Sequence, residues 1–327
     1  MQKALLATTA LVLSAGVAAA DVTISGYGRT GIIYYESNDP DAKETQVISR
    51  LRMNLDATTE TDAGVEFGGR LRFQWDQNAG TGRDALREQA GKLWISAQGL
   101  TVEIGNVDTA IDNSGLIYAT ELGAFDRSVG FSDVTGDFFA YTDGYGDAGR
   151  VGVAAIYSFG DVAVRASYIN PDQTADLAPG VEKEIGLAID YTWNDRLELS
   201  GAFTQNGAGI DGNDIYFLGA RYAVLDNARI GLNYVNADDT RVLDDADLDI
   251  GNVGQTVALY GDYTLADGLT NIEAYVANND GDWVGKETDN AFGIGVNYDL
   301  GGARLGASIQ RDYEELVTAD MGVRFNF

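Results

Sequence analysis

Residues 185–204 read IGLAIDYTWNDRLELSGAFT. One parity of the first half gives Ile185, Leu187, Ile189, Tyr191 and Trp193, and the other gives Gly186, Ala188, Asp190 and Thr192. After Asn194, Asp195 and Arg196 the alternation resumes, with Leu197, Leu199, Gly201 and Phe203 against Glu198, Ser200, Ala202 and Thr204. Successive side chains of a strand point to opposite faces, so this stretch predicts two amphipathic strands joined by a tight turn. Similar pairs follow at 216–224 with 228–234, 257–265 with 272–276 and 292–300 with 303–309.

The connectors alternate too. Short turns fall at 58–64, 98–99, 160–161, 194–196, 226–227, 266–268 and 301–302. Between them lie polar loops at 37–44, 77–88, 107–149, 170–183, 206–213, 236–254, 278–289 and 311–317. These seven turns and eight loops join sixteen strands. Short turns at one end and long loops at the other are the pattern of an all-β, antiparallel, up-and-down transmembrane barrel. A secreted soluble β-sandwich binding module or jelly roll also alternates, but a sandwich of this length needs its sheet edges protected, and the chain has only three Pro.

The distribution of charge separates the two. On the apolar parity, from Val22, Ile24, Ile32 and Tyr34 to Met321, Val323, Phe325 and Phe327, there is no Asp, Glu, Lys or Arg. The other parity holds Arg29, Arg50, Arg52, Glu66, Arg70, Arg72, Glu103, Arg165, Glu184, Asp190, Arg221, Arg229, Asp262, Glu273, Arg304 and Arg324. A charge on the lipid face at mid-depth costs about 2–4 kcal/mol, which explains the empty column. Mid-strand charges on the other face need water, and a barrel of this width encloses it. Tyr34, Trp75, Tyr157, Phe159, Tyr191, Trp193, Tyr222, Tyr263 and Tyr298, near strand ends on the dry parity, predict two interfacial girdles; Tyr35 falls on the wet parity.

Composition removes other functions. The 327 residues contain 50 Asp or Glu, 22 Lys or Arg, no Cys and no His. Disulfides, the usual zinc, copper and haem ligands, and a His-based catalytic triad are therefore absent. The charge of −28 speaks against nucleic acid and against docking on an anionic membrane surface. Residues 1–20, MQKALLATTALVLSAGVAAA, have Lys3, an apolar run from Ala4 to Val17 and a small-residue end at Ala18, Ala19 and Ala20, which predicts a secretory signal peptide. Its removal leaves 307 residues with 21 cations against 50 anions. No later run of about 18 apolar residues predicts a membrane helix.

Four stretches resemble the general diffusion porins of Gram-negative bacteria, most closely the alphaproteobacterial branch. They are DVTISGYGRTGIIYYE at 21–36, SRLRMNLDATTETDAGVEFGGRLRF at 49–73, TVEIGN at 101–106 running into a very long third loop, and ADMGVRFNF at 319–327. The resemblance implies a sixteen-stranded barrel over 21–327, a homotrimer, an outer-membrane location among lipid and lipopolysaccharide, and a third loop folded into the lumen as a constriction. It also implies that the terminal Phe327 belongs to a signal read by the outer-membrane assembly machinery.

The third loop, 107–149, is long enough to be functional in its own right. It carries Asp108, Asp112, Glu121, Asp126, Asp133, Asp137, Asp143 and Asp147 against the lone cation Arg127. Its Ile111, Leu116, Ile117, Tyr118, Leu122 and Phe125 predict an inward fold against the wall. Opposite it, Arg29, Arg50, Arg52, Arg70 and Arg72 share the lumen parity on neighbouring strands. Facing Asp108, Asp112, Glu121 and Asp126, these guanidiniums would set a transverse field across the narrowest point. The resemblance transfers this role to Arg50, Arg52, Arg70 and Arg72, and less directly to Arg29. The plainer alternative is that they neutralise Asp56, Glu66 and Asp76 on the same face.

The expected function is passive diffusion of ions and small hydrophilic solutes, with no chemical step and no required cofactor. Loop acids, including Asp238, Asp239, Asp244, Asp245, Asp247 and Asp249, offer oxygen ligands for calcium or for divalent ions shared with lipopolysaccharide phosphates. The resemblance puts the candidate calcium site at Asp108, Asp112 and Glu121. A substrate-selective channel of the same architecture is the alternative, with Tyr27, Trp94 and Tyr275 as a lumen aromatic track. An outer-membrane enzyme would lack the His base such barrels use. Charge predicts cation preference, reduced by the arginine patch.

Overall fold

A computed structural model of the protein describes residues 20–78, 83–141, 149–242 and 249–327. Its strands are β1 (Asp21–Tyr35), β2 (Thr45–Glu60), β3 (Glu66–Asn78), β4 (Arg83–Ala97), β5 (Leu100–Gly105), β6 (Val151–Phe159), β7 (Val162–Asn170) and β8 (Glu184–Trp193). The second half holds β9 (Leu197–Gln205), β10 (Ile215–Leu225), β11 (Ala228–Val242), β12 (Asp249–Thr264), β13 (Thr270–Asn279), β14 (Asn290–Asp299), β15 (Ala303–Arg311) and β16 (Val317–Asn326). Each pairs antiparallel with its sequence neighbour, and β1 pairs with β16 to close one barrel. All but Ala20 of the expected signal peptide lies outside the described residues.

The turns fall where the sequence places them. Two of the loops are shorter than expected, because β3 and β4 pair out to Asn78 and Arg83, and β11 and β12 out to Val242 and Asp249. Ladder hydrogen bonds need no apolar face, so a hairpin continues in polar sequence above the barrel rim. The seam closes through Arg29 opposite Arg324 and through Gly26 and Phe327, which exchange backbone bonds of 2.8 and 3.0 Å.

The dry parity faces outward. Leu93, Leu218 and Met321 are 68%, 62% and 63% exposed, a pattern that would fail in water but suits hydrocarbon. Charges on the inward parity pair across strands, as in Arg221 with Glu198 at 2.5 Å, Arg229 with Asp262 at 2.8 Å, and Arg165 with Asp190. The main apolar core lies inside the barrel, between the third loop and the wall of β10–β14.

Candidate functional site

The third loop crosses the lumen by a series of bonds to the wall. The Ala110 N–H donates to Ser167 Oγ on β7 at 2.9 Å, and the Gly115 N–H to Asp190 Oδ1 on β8 at 3.0 Å. Asn233 on β11 donates to the Leu116 carbonyl at 2.7 Å, and Gly130 N–H donates to the Tyr275 hydroxyl on β13 at 3.0 Å. At the tip, Ala124 N–H donates to Asp320 Oδ1 on β16 at 2.9 Å, and Arg29 on β1 donates to the Phe125 carbonyl at 2.5 Å. The return limb is held by Phe139 N–H on Glu184 at 2.9 Å and by Asn106 on the Tyr141 carbonyl at 3.2 Å.

Apolar contacts fix its depth. Ile111, Leu116, Ile117, Leu122, Phe125 and Phe131 are buried, most of them against the inward-facing Ile215, Phe217, Val235, Tyr260 and Tyr275. Tyr118 is the exception: it stays exposed and donates to Asp112 at 2.6 Å. Glycine makes the close approach possible. A Cβ on Gly306 would come within 2.7 Å of the Ala124 nitrogen, and one on Gly219 within 3.0 Å of the Leu116 Cβ. The wall under the loop is therefore partly bare or apolar, while β1–β5 keep a polar inner face.

The five sequence-chosen arginines meet different fates. Arg50 is ion-paired with Asp76 at 2.5 Å and Arg70 with Asp56 at 2.7 Å, the latter also through a second bond at 2.9 Å. These two have the same-face carboxylate partners that the plainer alternative names. Glu66 instead accepts the Trp94 indole N–H at 2.8 Å. Arg52 donates to Gln74 at 2.7 Å, Arg72 to Asn54 at 2.8 Å, and Arg29 to a carbonyl. Among the described residues these three have no carboxylate partner. Arg72 is 8% exposed, with its guanidinium carbon 3.9 Å from the Tyr141 ring centroid. Register turns the three into a staircase: Arg29 opposes Arg50, two residues from Arg52, and Arg52 opposes Gln74, two residues from Arg72.

The loop acids divide similarly. Asp108 pairs with Lys92 at 3.0 Å, and Lys92 also meets Glu103 at 3.0 Å. Asp126 sits between Arg304, at 2.6 Å, and Arg324, so it ties the loop tip to β15 and β16. Glu121 is half-buried beside this hairpin, and burial, with Asp133 adding to it, pushes its carboxyl up to about 8. Asp143, Asp147, Asp244, Asp245 and Asp247 lie outside the described residues, and nothing is described of the Asp239 and Asp249 side chains. Among the described residues no group of three carboxylates converges on one point, so Asp108, Asp112 and Glu121 do not fit a calcium cage. The aromatic track is likewise broken up: Tyr275 is buried under the loop, Tyr27 is packed by Arg52 and Arg324, and Trp94 is turned to Glu66.

Sequence comparison agrees with this architecture. A sequence model described as Gram-negative porin matches residues 7–315. The chain belongs to the Gram-negative porin family. The porin is 39% identical over 315 residues to a porin of Fuscovulum blasticum and 27% identical over 341 residues to a porin of Rhodobacter capsulatus, covering 94% of this chain and 100% of each relative. Two solved structures of engineered Rh. blastica porins, each 38% identical, superpose with TM-scores of 0.81 and 0.80 over 94% of this chain and 100% of theirs. The porin is a non-enzymatic general diffusion channel of the outer membrane.

Several residues of the site escape sequence reasoning. Arg304, Arg324, Lys92 and Asp320 hold the loop or share its charges, although only their parity is legible. The signal that could have found the docking track is the interruption of the wet parity by Gly219, Gly293, Gly295 and Gly306 and by Phe217 and Tyr260, all on β10–β15.

Proposed function

We propose that the constriction lies between the third loop and the inner face of β1–β3, and that Arg29, Arg52 and Arg72 supply its basic side. The carrying observation is that these three guanidiniums, unlike Arg50 and Arg70, are held by neutral acceptors. Guanidinium does not deprotonate in proteins, so their charge persists at any working pH. The acidic side comes from the loop: Asp108, Asp112 and Asp126 carry it, Asp108 and Asp126 sharing theirs with wall cations, and Glu121 joins them once it ionises above about 8. Ordered water in that field favours hydrophilic solutes over apolar ones. Liposome swelling tests the reading: uptake should fall with solute size and not with solute identity. Saturable uptake of one sugar would favour the substrate-selective alternative.

We also propose a homotrimer. The outward faces of β1 and β2 carry Ala57 and the hydroxyl pair Thr30 and Ser49, 2.7 Å apart, whereas Tyr157, Phe159, Tyr191 and Trp193 crowd the outward faces of β6 and β8. Small and hydroxyl-bearing residues suit contact with a second barrel. Residues 1–20 act as the export signal and Phe327 as part of the assembly signal. Calcium enters only as an exchangeable counter-ion of the loop acids, and a chelator is expected to leave conductance unchanged.

A further inference from the structure

At the loop end of the barrel, away from the constriction, a cavity of about 430 Å³ opens between the third loop and the loops that follow β13 and β15. Its aromatic side consists of Trp283 and Tyr313, whose rings meet edge to face at 5.6 Å, and of Tyr35. Tyr313 is buried and donates to the Gly130 carbonyl at 2.7 Å, so this wall is fixed to the third loop. Val284 stands at the rim, 76% exposed.

The charge lining this cavity is one-sided. Glu36, Asp133, Asp312 and Glu314 line it, against Arg127 alone. Arg127 is already engaged, with Asp133 at 2.9 Å and the Tyr35 hydroxyl at 2.9 Å. The neighbouring cations do not line it: Arg311 bonds Glu315 at 3.0 Å, and Lys286 bonds Asp289 at 2.6 Å with its ammonium 5.5 Å from the Trp283 ring centroid. Asp312 accepts the Glu314 and Leu316 N–H groups at 3.0 and 2.8 Å, and Glu36 accepts that of Val317 at 2.9 Å, so both carboxylates are pre-positioned. No described group bonds the Glu314 side chain. Burial raises the Asp312 and Glu314 carboxyls, and Glu36 beside Asp312, and Asp312 beside Glu314, add to it. A bound cation would relieve that repulsion.

We propose that this vestibule cavity is a binding site for a small organic cation that carries a flat apolar ring. The ring lies against Trp283, which the buried Tyr313 backs, and the ammonium faces Asp312, Glu314 and Glu36. A neutral ring satisfies the aromatic wall but leaves the carboxylates uncompensated, and a bare metal ion does the reverse. The inference is independent of which arginines form the constriction, because no residue of the arginine staircase lines the cavity.

The test is phenethylammonium added on the loop side of the intact porin in a planar bilayer, read as current reduction and, in detergent, as heat of binding. Saturable block is expected, with neutral 2-phenylethanol inert at the same concentration. Glu314→Gln, at an exposed loop position, should weaken the block about fivefold, as expected for one carboxylate lost near the cation. Trp283→Ala should weaken it about tenfold, as expected for the loss of one aromatic ring contact. Potassium chloride steps of unchanged size in both variants would show that the channel itself is intact. Equal block by 2-phenylethanol, or undiminished block in both variants, would overturn the proposal.

Discussion

Neutralising Arg52 and Arg72 together, as R52Q/R72Q, tests the charge assignment directly. Neither residue has a carboxylate partner among the described residues, so each substitution removes one uncompensated positive charge from the bore. For an ion passing about 8 Å away, Coulomb's law in water gives about 0.5 kcal/mol per charge, and screening at about 0.1 M salt leaves about 0.2 kcal/mol. Two charges act with opposite sign on potassium and chloride, so their permeability ratio shifts by about 0.9 kcal/mol, or about fivefold toward potassium. At about 1 M salt the same arithmetic leaves about 1.3-fold. The assay is the reversal potential under a potassium chloride gradient. The control is R50Q/D76N with R70Q/D56N, which deletes two wall pairs without changing net charge and should leave the ratio where it was. The assignment fails if the double variant keeps the original ratio, or if the charge-balanced control moves it by as much.

Gly306→Leu should lift the loop tip, because a side chain there meets the Ala124 backbone; single-channel conductance should rise and become noisier, while Gly302→Leu, with open space around it, should not change it. Asp126→Asn removes the anion shared by Arg304 and Arg324 and should increase current noise without lowering conductance. Glu121 is neutral below about 8 and charged above it, so cation preference should climb between about pH 6 and about pH 10, and Glu121→Gln should abolish that climb. The same raised carboxyl binds its proton more tightly in the folded protein, so its contribution to stability falls as pH rises from its ordinary value of 4.5 through about 8, a loss that unfolding at several pH values should show to be missing in Glu121→Gln. Leu218→Lys puts a charge on the lipid face and should cost about 2–4 kcal/mol of barrel stability in lipid vesicles, whereas the same change at the lumen-facing Thr204, which is under the loop, would act through packing instead.

Strand number and inward parity are legible in the sequence because both follow from a period of two and from turn residues such as Asn194 and Gly301, whose backbone is left-handed. Rim hairpins are not, since Asn78 and Val242 extend strands that carry no apolar alternation. The arginine wall is legible as a set, but the division into paired and unpaired members depends on which residue lies opposite. Asp56 opposes Arg70 and Gln74 opposes Arg52, and a register shift between β3 and β4 moves the next neighbours again. Asp126 reads as an acid facing the bore until the fold brings it to Arg304 and Arg324, from strands nearly two hundred residues later. The apolar loop residues announce an inward fold, but their berth is written in the far half of the chain, in inward-facing glycines and aromatics that look like lapses in the pattern.

The chain contains no cysteine, so a single introduced thiol reports its own surroundings. Adjacent positions on β2 provide the decisive comparison: Leu51 faces outward and is 45% exposed, while Arg52 faces the bore. Single-channel current should drop when R52C meets a charged, membrane-impermeant thiol reagent and should be untouched in L51C. Current loss in L51C with none in R52C would contradict the account at its root.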